Sequence, residues 1–225
     1  MLCVFDVNET LLDLTTLDPL FTELTGSPTA RREWFALSIH TVLAVTATGG
    51  YRDFGEITAQ AAADVCAQYG HELTDRDLSR LREGLAATPA HPDAAEGLDL
   101  LRQDGHQLVA LTNSPLATGE THLQNAGLAT KLERIFSAQQ VSRLKPAPEP
   151  YRQVLRAYGV EPGQAVMVAA HGWDIAGAQA AGLRTALLVR PGVRPLPGAP
   201  AATYTAASVP ELARAIDVSH RSGPK

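Results

Sequence analysis

The stretch Leu2-Cys3-Val4-Phe5-Asp6 constrains this chain more than any other, because four apolar residues run directly into a carboxylate. A short apolar run with a polar stop reads as a buried strand of a parallel sheet. Such a strand delivers Asp6 to the carboxyl-terminal edge, where open α/β sheets hold their ligands. An acid in that place can serve as a nucleophile; its ordinary reading is a turn cap after a strand. Glu9, Thr10, the apolar pair Leu11-Leu12 and Asp13 follow, and predict a tight turn folding the chain back over Asp6.

After Asp13 the pattern turns helical for about seventy residues by the periodicity of its apolar positions. Ser27-Pro28 predicts an N-cap and first-turn proline for a helix through Trp34, Leu37 and Val42 toward Gly49-Gly50. A second helical block spans Tyr51 to Tyr69. Thr74 caps a third through Leu78, Leu81 and Leu85, with Asp77 complementing its amino end. Helices without strands over residues 14–87 predict an inserted bundle, leaving 1–13 and 88–225 for an α/β core.

From Asp93 helices and strands alternate, as in a parallel sheet. His106 to Leu111 stops at Thr112-Asn113-Ser114-Pro115, Ile135-Phe136-Ser137 precedes Lys145-Pro146, and Ala165 to Ala169 stops at Ala170-His171-Gly172-Trp173-Asp174. A helix over Ala176 to Ala181 and a fourth strand over Thr185 to Val189 follow. Pro191 to Ala201 reads as loop, Val209 to Ile216 as a last helix, and Ser219 to Lys225 as a frayed tail. Right-handed crossovers put successive strand ends on one edge of the sheet. Asp6, Thr112, Asn113, Lys145 and Asp174 therefore converge on one crevice. Taken singly, Thr112, Asn113 and Asp174 read as helix caps and Lys145 as a solvated loop lysine; their joint order points to a site.

A chain of 225 residues can bury a sizeable core. Its net charge of -5 and lack of a basic run argue against nucleic acid or an anionic membrane as partner. No apolar run approaches the ~20 residues that span a bilayer, and Met1 to Phe5 is too short for a signal peptide, so a cytoplasmic protein is expected. Cys3 and Cys66 lack the spacing of a zinc or redox motif and are expected as buried thiols.

The order Asp6-x-x-x-Thr10, Thr112-Asn113, Lys145-Pro146 with Tyr151, and Ala170-His171-Gly172-Trp173-Asp174-Ile175-Ala176-Gly177-Ala178 resembles the haloacid dehalogenase (HAD) superfamily, in its type II (S)-2-haloacid dehalogenase branch. The resemblance implies a Rossmann-like parallel sheet flanked by helices, with a helical cap inserted after the first motif. It also implies displacement of halide from a small 2-haloacid. Asp6 attacks the carbon to form an aspartyl ester, and water then opens that ester to a 2-hydroxy acid. Lys145 keeps Asp6 ionised, Thr10 and Thr112 orient its oxygens, and Asn113 donates to the departing halide. Asp174 activates the water, with His171 a second candidate, and Trp173 forms an apolar wall.

Phosphatases of the superfamily carry a second aspartate two residues after the nucleophile, to protonate the departing alkoxide; here that residue is Asn8. A halide needs no such proton. No metal or cofactor is therefore expected, and magnesium enters only under the alternative of a phosphohydrolase; a non-catalytic binding member of the fold is the third possibility. By the same resemblance Phe35 stands where characterised members carry an arginine for the halide or substrate carboxylate; Arg31 or Arg32 could reach the site from a turn earlier, though the favoured reading of both is a solvated helix face. Asn8 and Glu9 replace an aromatic residue and a glycine, and Ala169 and His171 replace serine and asparagine. Asn8, Phe35, Asn113, His171 and Trp173 thus form the expected substrate pocket. The partner is a small molecule, with a homodimer by analogy to the branch.

Overall fold

The computed structural model of the protein describes residues 1–221. Six strands occur among them: β1 (Leu2–Phe5), β2 (Gln107–Thr112), β3 (Arg134–Ser137), β4 (Ala165–Ala169), β5 (Arg184–Leu188) and β6 (Tyr204–Ala206). The α-helices are α1 (Asp18–Thr25), α2 (Ala30–Ala47), α3 (Phe54–Gln68), α4 (Asp75–Ala86), α5 (Ala94–Gln103), α6 (Leu116–Asn125), α7 (Pro148–Tyr158), α8 (Gly172–Ala180) and α9 (Val209–Arg221).

The strands form one parallel sheet in the order β3-β2-β1-β4-β5-β6, so β1 lies between two neighbours at its centre. Its four residues are all buried because alternate side chains serve opposite faces. Cys3 and Phe5 join an apolar layer with Leu98 of α5 and Leu212 of α9. Leu2 and Val4 join another with Val154 of α7 and Ala178 of α8. Phe5 pairs with Ala110 and with Val168, and the Asp6 amide donates to the Val168 carbonyl at 3.0 Å. Asp6 therefore leaves the sheet level with the ends of β2 and β4; the parallel sheet expected from the strand pattern is present, and with it the Rossmann-like core that the resemblance implied.

The helices between Leu14 and Ala86 pack around an apolar cluster that includes Phe21, Trp34, Val42, Ile57, Val65 and Leu81 and is joined by Ala138 and Leu144 from beyond them. Trp34 anchors it. Its ring lies 5.1 Å from that of Phe21, and its indole Nε1 donates to the Thr58 carbonyl at 2.8 Å, which satisfies the one polar atom its burial would otherwise strand. The capping box expected at Thr74 and Asp77 forms, each side chain accepting from the other's backbone amide.

Several boundaries differ from the sequence reading. Ser27-Pro28 does not cap α2: Ser27 Oγ accepts from the Thr29 amide in a turn, and the helix starts at Ala30. The sequence reading has no counterpart of α1 or β6. The latter is a three-residue edge strand with only Ala206 buried, too short to show alternation. Helix α8 opens at Gly172 rather than Ala176, so Asp174 sits in its first turn. Helix α9 runs on to Arg221, into the expected tail, of which residues 222–225 lie outside the described residues. Cys3 and Cys66 are buried free thiols. Among the described residues no helix is long and apolar enough to cross a membrane.

Candidate active site

An alternating chain of charges, buried around Lys145 and partly exposed at Glu9 and Asp18, runs through the strand ends. Lys145 Nζ donates to Asp6 Oδ1 at 2.8 Å, to Asp174 Oδ2 at 2.7 Å and to the Leu111 carbonyl at 2.9 Å, which uses all three of its protons. On the other side of Asp6, Thr10 Oγ1 donates to Oδ2 at 2.6 Å and His171 Nδ1 lies 3.2 Å from the same oxygen. His171 Nε2 is 3.0 Å from Glu9 Oε2, and Glu9 Oε1 accepts from Arg31 Nη1 at 2.8 Å. Arg31 Nε in turn donates to Asp18 Oδ1 at 2.5 Å. From Asp18 to Asp174 the signs alternate without a break.

The surroundings dictate which groups are charged. Burial works to raise the Asp6 carboxyl, but the Lys145 ammonium and the hydrogen bond and charge of His171 outweigh it and hold the carboxyl well below the usual range. Burial works to lower Lys145, and Asp174 and Asp6 together raise it. Asp174 is raised, first by burial and also by repulsion from Asp6, against the pull of Lys145. His171 is raised from its ordinary 6.5 to about 9, burial being overcome by its hydrogen bonds to Asp6 and Glu9 and by their charges. A histidine raised by partners stabilises the fold in its protonated form. Its contribution, up to about 3 kcal/mol, is whole below pH 6.5 and lost as pH rises through about 9. Urea unfolding at pH 6.5 and pH 9.5 is expected to show this loss in the native protein and to show it much reduced in His171→Gln.

Local structure explains why these side chains meet. Thr10 Oγ1 also accepts from the Ala170 amide at 2.9 Å, tying the loop after β1 to the end of β4, and Arg190 Nη2 donates to the Thr10 carbonyl at 2.9 Å. The amide of Asn113 brackets the backbone of Lys145, accepting from its N–H at 2.8 Å and donating to its carbonyl at 3.2 Å. Tyr151 of α7 donates to Asp174 Oδ1 at 2.6 Å. Helix α8 can approach α7 this closely only at Gly177, where a β-carbon would lie 2.5 Å from Pro146 Cβ and 2.7 Å from the Tyr151 hydroxyl. Gly177→Ala is therefore expected to cost about 1–3 kcal/mol by overpacking, read by urea denaturation, and to lower activity by displacing Tyr151 and Asp174.

Asp6, Thr10, Lys145 and Asp174 are brought together, and His171 with them. Thr112 is not among the donors to Asp6: its Oγ1 accepts from the Ser114 amide at 3.1 Å, capping the turn after β2. Lys145 and Tyr151 each donate to one Asp174 oxygen, and the residue is fully buried, with no surface open to a water. His171 is the candidate placed to activate water. Arg31, expected on a solvated face, is 3% exposed and points inward to Glu9 and Asp18, whereas Arg32 is exposed. Position 31 precedes Trp34, Phe35 and Ser38 by three, four and seven residues, which is the buried stripe of α2 and the signal that reveals it. Glu9 itself has φ of 58°, a left-handed backbone that costs a non-glycine residue on the order of 1 kcal/mol or more. Its ion pairs with His171 and Arg31 offset that strain.

Above the carboxylate is a cavity of about 10 Å³, the volume of roughly one water. Asp6, Asn8, Asn113 and His171 bound it below, and Phe35, Ile39, Phe54 and Trp173 form its walls. Asn8 Oδ1 is buried with no donor from the protein. His171 is sandwiched between Phe35 and Trp173, with ring centroids 5.3 and 5.4 Å away. A wider cavity, about 660 Å³, has neither Asp6 nor Asp174 in its lining and shares Asn8, Phe35 and Phe54 with the small one. No group of three or more His, Cys, Asp or Glu side chains among the described residues could hold a metal ion.

Comparison with known proteins agrees with this geometry. The family profile for haloacid dehalogenase-like hydrolases matches residues 1–182. The chain is 30% identical to (S)-2-haloacid dehalogenase 4A of Burkholderia cepacia over 203 residues, 86% of this chain and 84% of that protein. A crystal structure of an L-2-haloacid dehalogenase superposes with a TM-score of 0.90 at 25% identity, covering 96% of this chain and 98% of the other. A shorter match, 34% identity over 99 residues, covers 44% of this chain and 41% of a phosphoglycolate phosphatase of Rhodospirillum rubrum. With its sheet order, its convergent aspartate, threonine and lysine, and a profile match over most of its length, the chain belongs to the haloacid dehalogenase-like hydrolase family, on the side of the L-2-haloacid dehalogenases.

Proposed function

We propose that the protein hydrolyses the carbon–halogen bond of small 2-haloacids. Asp6 displaces halide from the carbon and becomes esterified; water then attacks the carbonyl of that ester and releases a 2-hydroxy acid. The observation that carries this reading is the state of Asp6, a buried anion at the floor of an aromatic cavity with an amide, Asn8, two residues further on. Aromatic walls leave such a carboxylate short of water and hence reactive toward carbon. A halide departs as a weak base, whereas a phosphate ester must shed an alkoxide. Asn8 cannot supply the proton that alkoxide needs, which is worth ~10²–10⁴ in rate or roughly 3–5 kcal/mol of barrier.

The second reading, a magnesium-dependent phosphohydrolase, draws on the shorter phosphatase match. It meets a chemical obstacle: magnesium takes oxygen ligands, and the two carboxylates available, Asp6 and Asp174, both face the Lys145 ammonium within 2.8 Å. In the favoured reading Lys145 and Thr10 hold Asp6 ionised and aimed, and the second amide proton of Asn113 serves the departing halide. Phe35 and Trp173 enclose the carbon. The helices between residues 14 and 87 act as a cap, because a haloacid needs more room than one water and so Phe35, Ile39 and Phe54 must withdraw to admit it. The wide cavity that shares Phe35 and Phe54 is the approach. A cytoplasmic setting fits this chemistry. Three of the four large apolar side chains exposed among the described residues, Leu43, Tyr51 and Tyr69, lie on the cap, where a homodimer would form.

The test is release of halide from (S)-2-bromopropionate against release of phosphate from p-nitrophenyl phosphate, each with magnesium and with a chelator. Halide release untouched by the chelator is expected, and a single turnover in heavy-oxygen water should label the Asp6 carboxylate before it labels product. Magnesium-dependent phosphate release without halide would overturn the reading.

A further inference from the structure

We infer that His171, positioned by Glu9, is the general base that activates water in the second half of the reaction, and that esterification of Asp6 is what frees it to act. This rests on the aspartyl-ester reading above. The geometry is fixed on every side. Glu9 holds Nε2 at 3.0 Å and Phe35 and Trp173 clasp the two ring faces, so Nδ1 is aimed at Asp6 Oδ2, 3.2 Å away. The cavity that His171 shares with Asp6 has room for about one water, and Asn8 Oδ1, in the same cavity, is a buried acceptor that no protein donor meets. Once Nδ1 has lost its proton, a water there would give one hydrogen to Asn8 Oδ1 and one to Nδ1. Asp174, the other candidate, is fully buried and does not line that cavity.

In the resting enzyme the imidazole faces two carboxylates and is a cation, raised to about 9. A cation cannot take a proton from water. The groups that face it are Asp6 and Glu9, with Lys145 beyond the first and Arg31 beyond the second. When Asp6 attacks, the carbon–halogen bond breaks, halide carries away its electron pair, and the Asp6 carboxyl becomes a neutral ester. His171 then loses the stronger of its two partners and releases the Nδ1 proton to solvent, while Nε2–H stays with Glu9. Water adds to Asp6 Cγ and gives one proton to Nδ1. The second proton goes to the departing alkoxide as the bond from Cγ to the ester oxygen breaks, which restores the Asp6 carboxylate and the imidazolium. Summed over both halves, haloacid and water become hydroxy acid, halide and one free proton. Glu9 keeps its left-handed backbone at φ 58° because this task requires a carboxylate at that point.

The experiment uses His171→Gln with (S)-2-bromopropionate. One equivalent of bromide per enzyme should be released in a burst, followed by steady turnover slowed ~10²–10⁴-fold, and mass spectrometry should find the ester accumulated on the peptide carrying Asp6. Unchanged steady turnover, or a folded variant with no burst, overturns the inference while bromide release by the native enzyme keeps the aspartyl-ester reading intact. No bromide from the native enzyme overturns that reading and the inference with it. Glu9→Gln supplies a second readout, since Glu9 acts through His171. Loss of its charge lowers the affinity of the ring for its proton, so the rising limb of the deacylation rate should move to lower pH; an unmoved limb also overturns the inference. Should His171→Gln not fold, that pH profile decides.

Discussion

Asp6→Asn is expected to silence halide release by a factor on the order of 10⁶, the scale on which removal of a covalent nucleophile acts. The replacement has nearly the same shape, and its amide oxygen can still accept from Thr10, whose hydroxyl lies 2.6 Å from the native Oδ2. Lys145 retains Asp174 at 2.7 Å and the Leu111 carbonyl at 2.9 Å, so the strand ends stay joined. What is lost is the negative charge that attacks carbon. The variant should therefore show neither a burst of halide nor an adduct at position 6, in contrast to His171→Gln, which should show both. It also imitates the charge state of the esterified enzyme. Histidine-labelled NMR should find His171 titrating well below the value of about 9 that it has beside the native carboxylate. A loss of no more than about 10²–10⁴-fold would mean that the nucleophile is another residue, since that is the scale of general acid–base losses alone.

Much of this site was legible before any coordinates, for a topological reason. Parallel strands joined by right-handed crossovers deliver their ends to one edge, so Asp6, Lys145 and Asp174 could be expected together from the order of apolar runs, and the structure puts the ammonium 2.8 and 2.7 Å from the two carboxylates. Direction of hydrogen bonding was not legible. Thr112 and Asn113 stand at a strand end in the right register, yet one caps the following turn and the other brackets the backbone of Lys145, distinctions set by side-chain rotamers and not by spacing. Nor does sequence show that a carboxylate at a catalytic edge is sealed from water, as Asp174 is, because that depends on Tyr151 arriving from another helix. Arg31 was misread for a different cause. A charged residue on a helix is normally solvated, and here the buried stripe of α2 includes one because Glu9 and Asp18 meet it there. Strand β6 carries too little buried surface to leave a pattern at all.

Lys145→Met is expected to have the largest effect on folding. The native side chain is wholly buried, and its ammonium answers two carboxylates and a carbonyl at once. Methionine fills a similar volume without a charge, which leaves Asp6 and Asp174 facing each other across apolar atoms. Removing one partner of a buried ionic cluster costs about 3–5 kcal/mol, a large part of the ~5–15 kcal/mol that holds a typical domain together. The variant can recover some of this by taking up a proton. Asp174 is the group to accept it, since burial and the charge of Asp6 already raise its pKa in the native protein, and only Lys145 and the Tyr151 hydrogen bond resist. A carboxyl raised in the folded state stabilises that state while protonated, so urea unfolding of Lys145→Met should show stability gained as pH falls from 8 toward 5. Over the same interval the native protein loses nothing from this pair. Adding Asp174→Leu should restore much of the lost stability, because a buried ionic pair replaced whole by apolar side chains is close to neutral. It should restore no activity, because Asp6 would then have lost the cation that keeps it a nucleophile. A single-variant cost below about 1 kcal/mol would mean that the ammonium is not what holds the strand ends together, and that the convergence of the two carboxylates is enforced by the sheet instead.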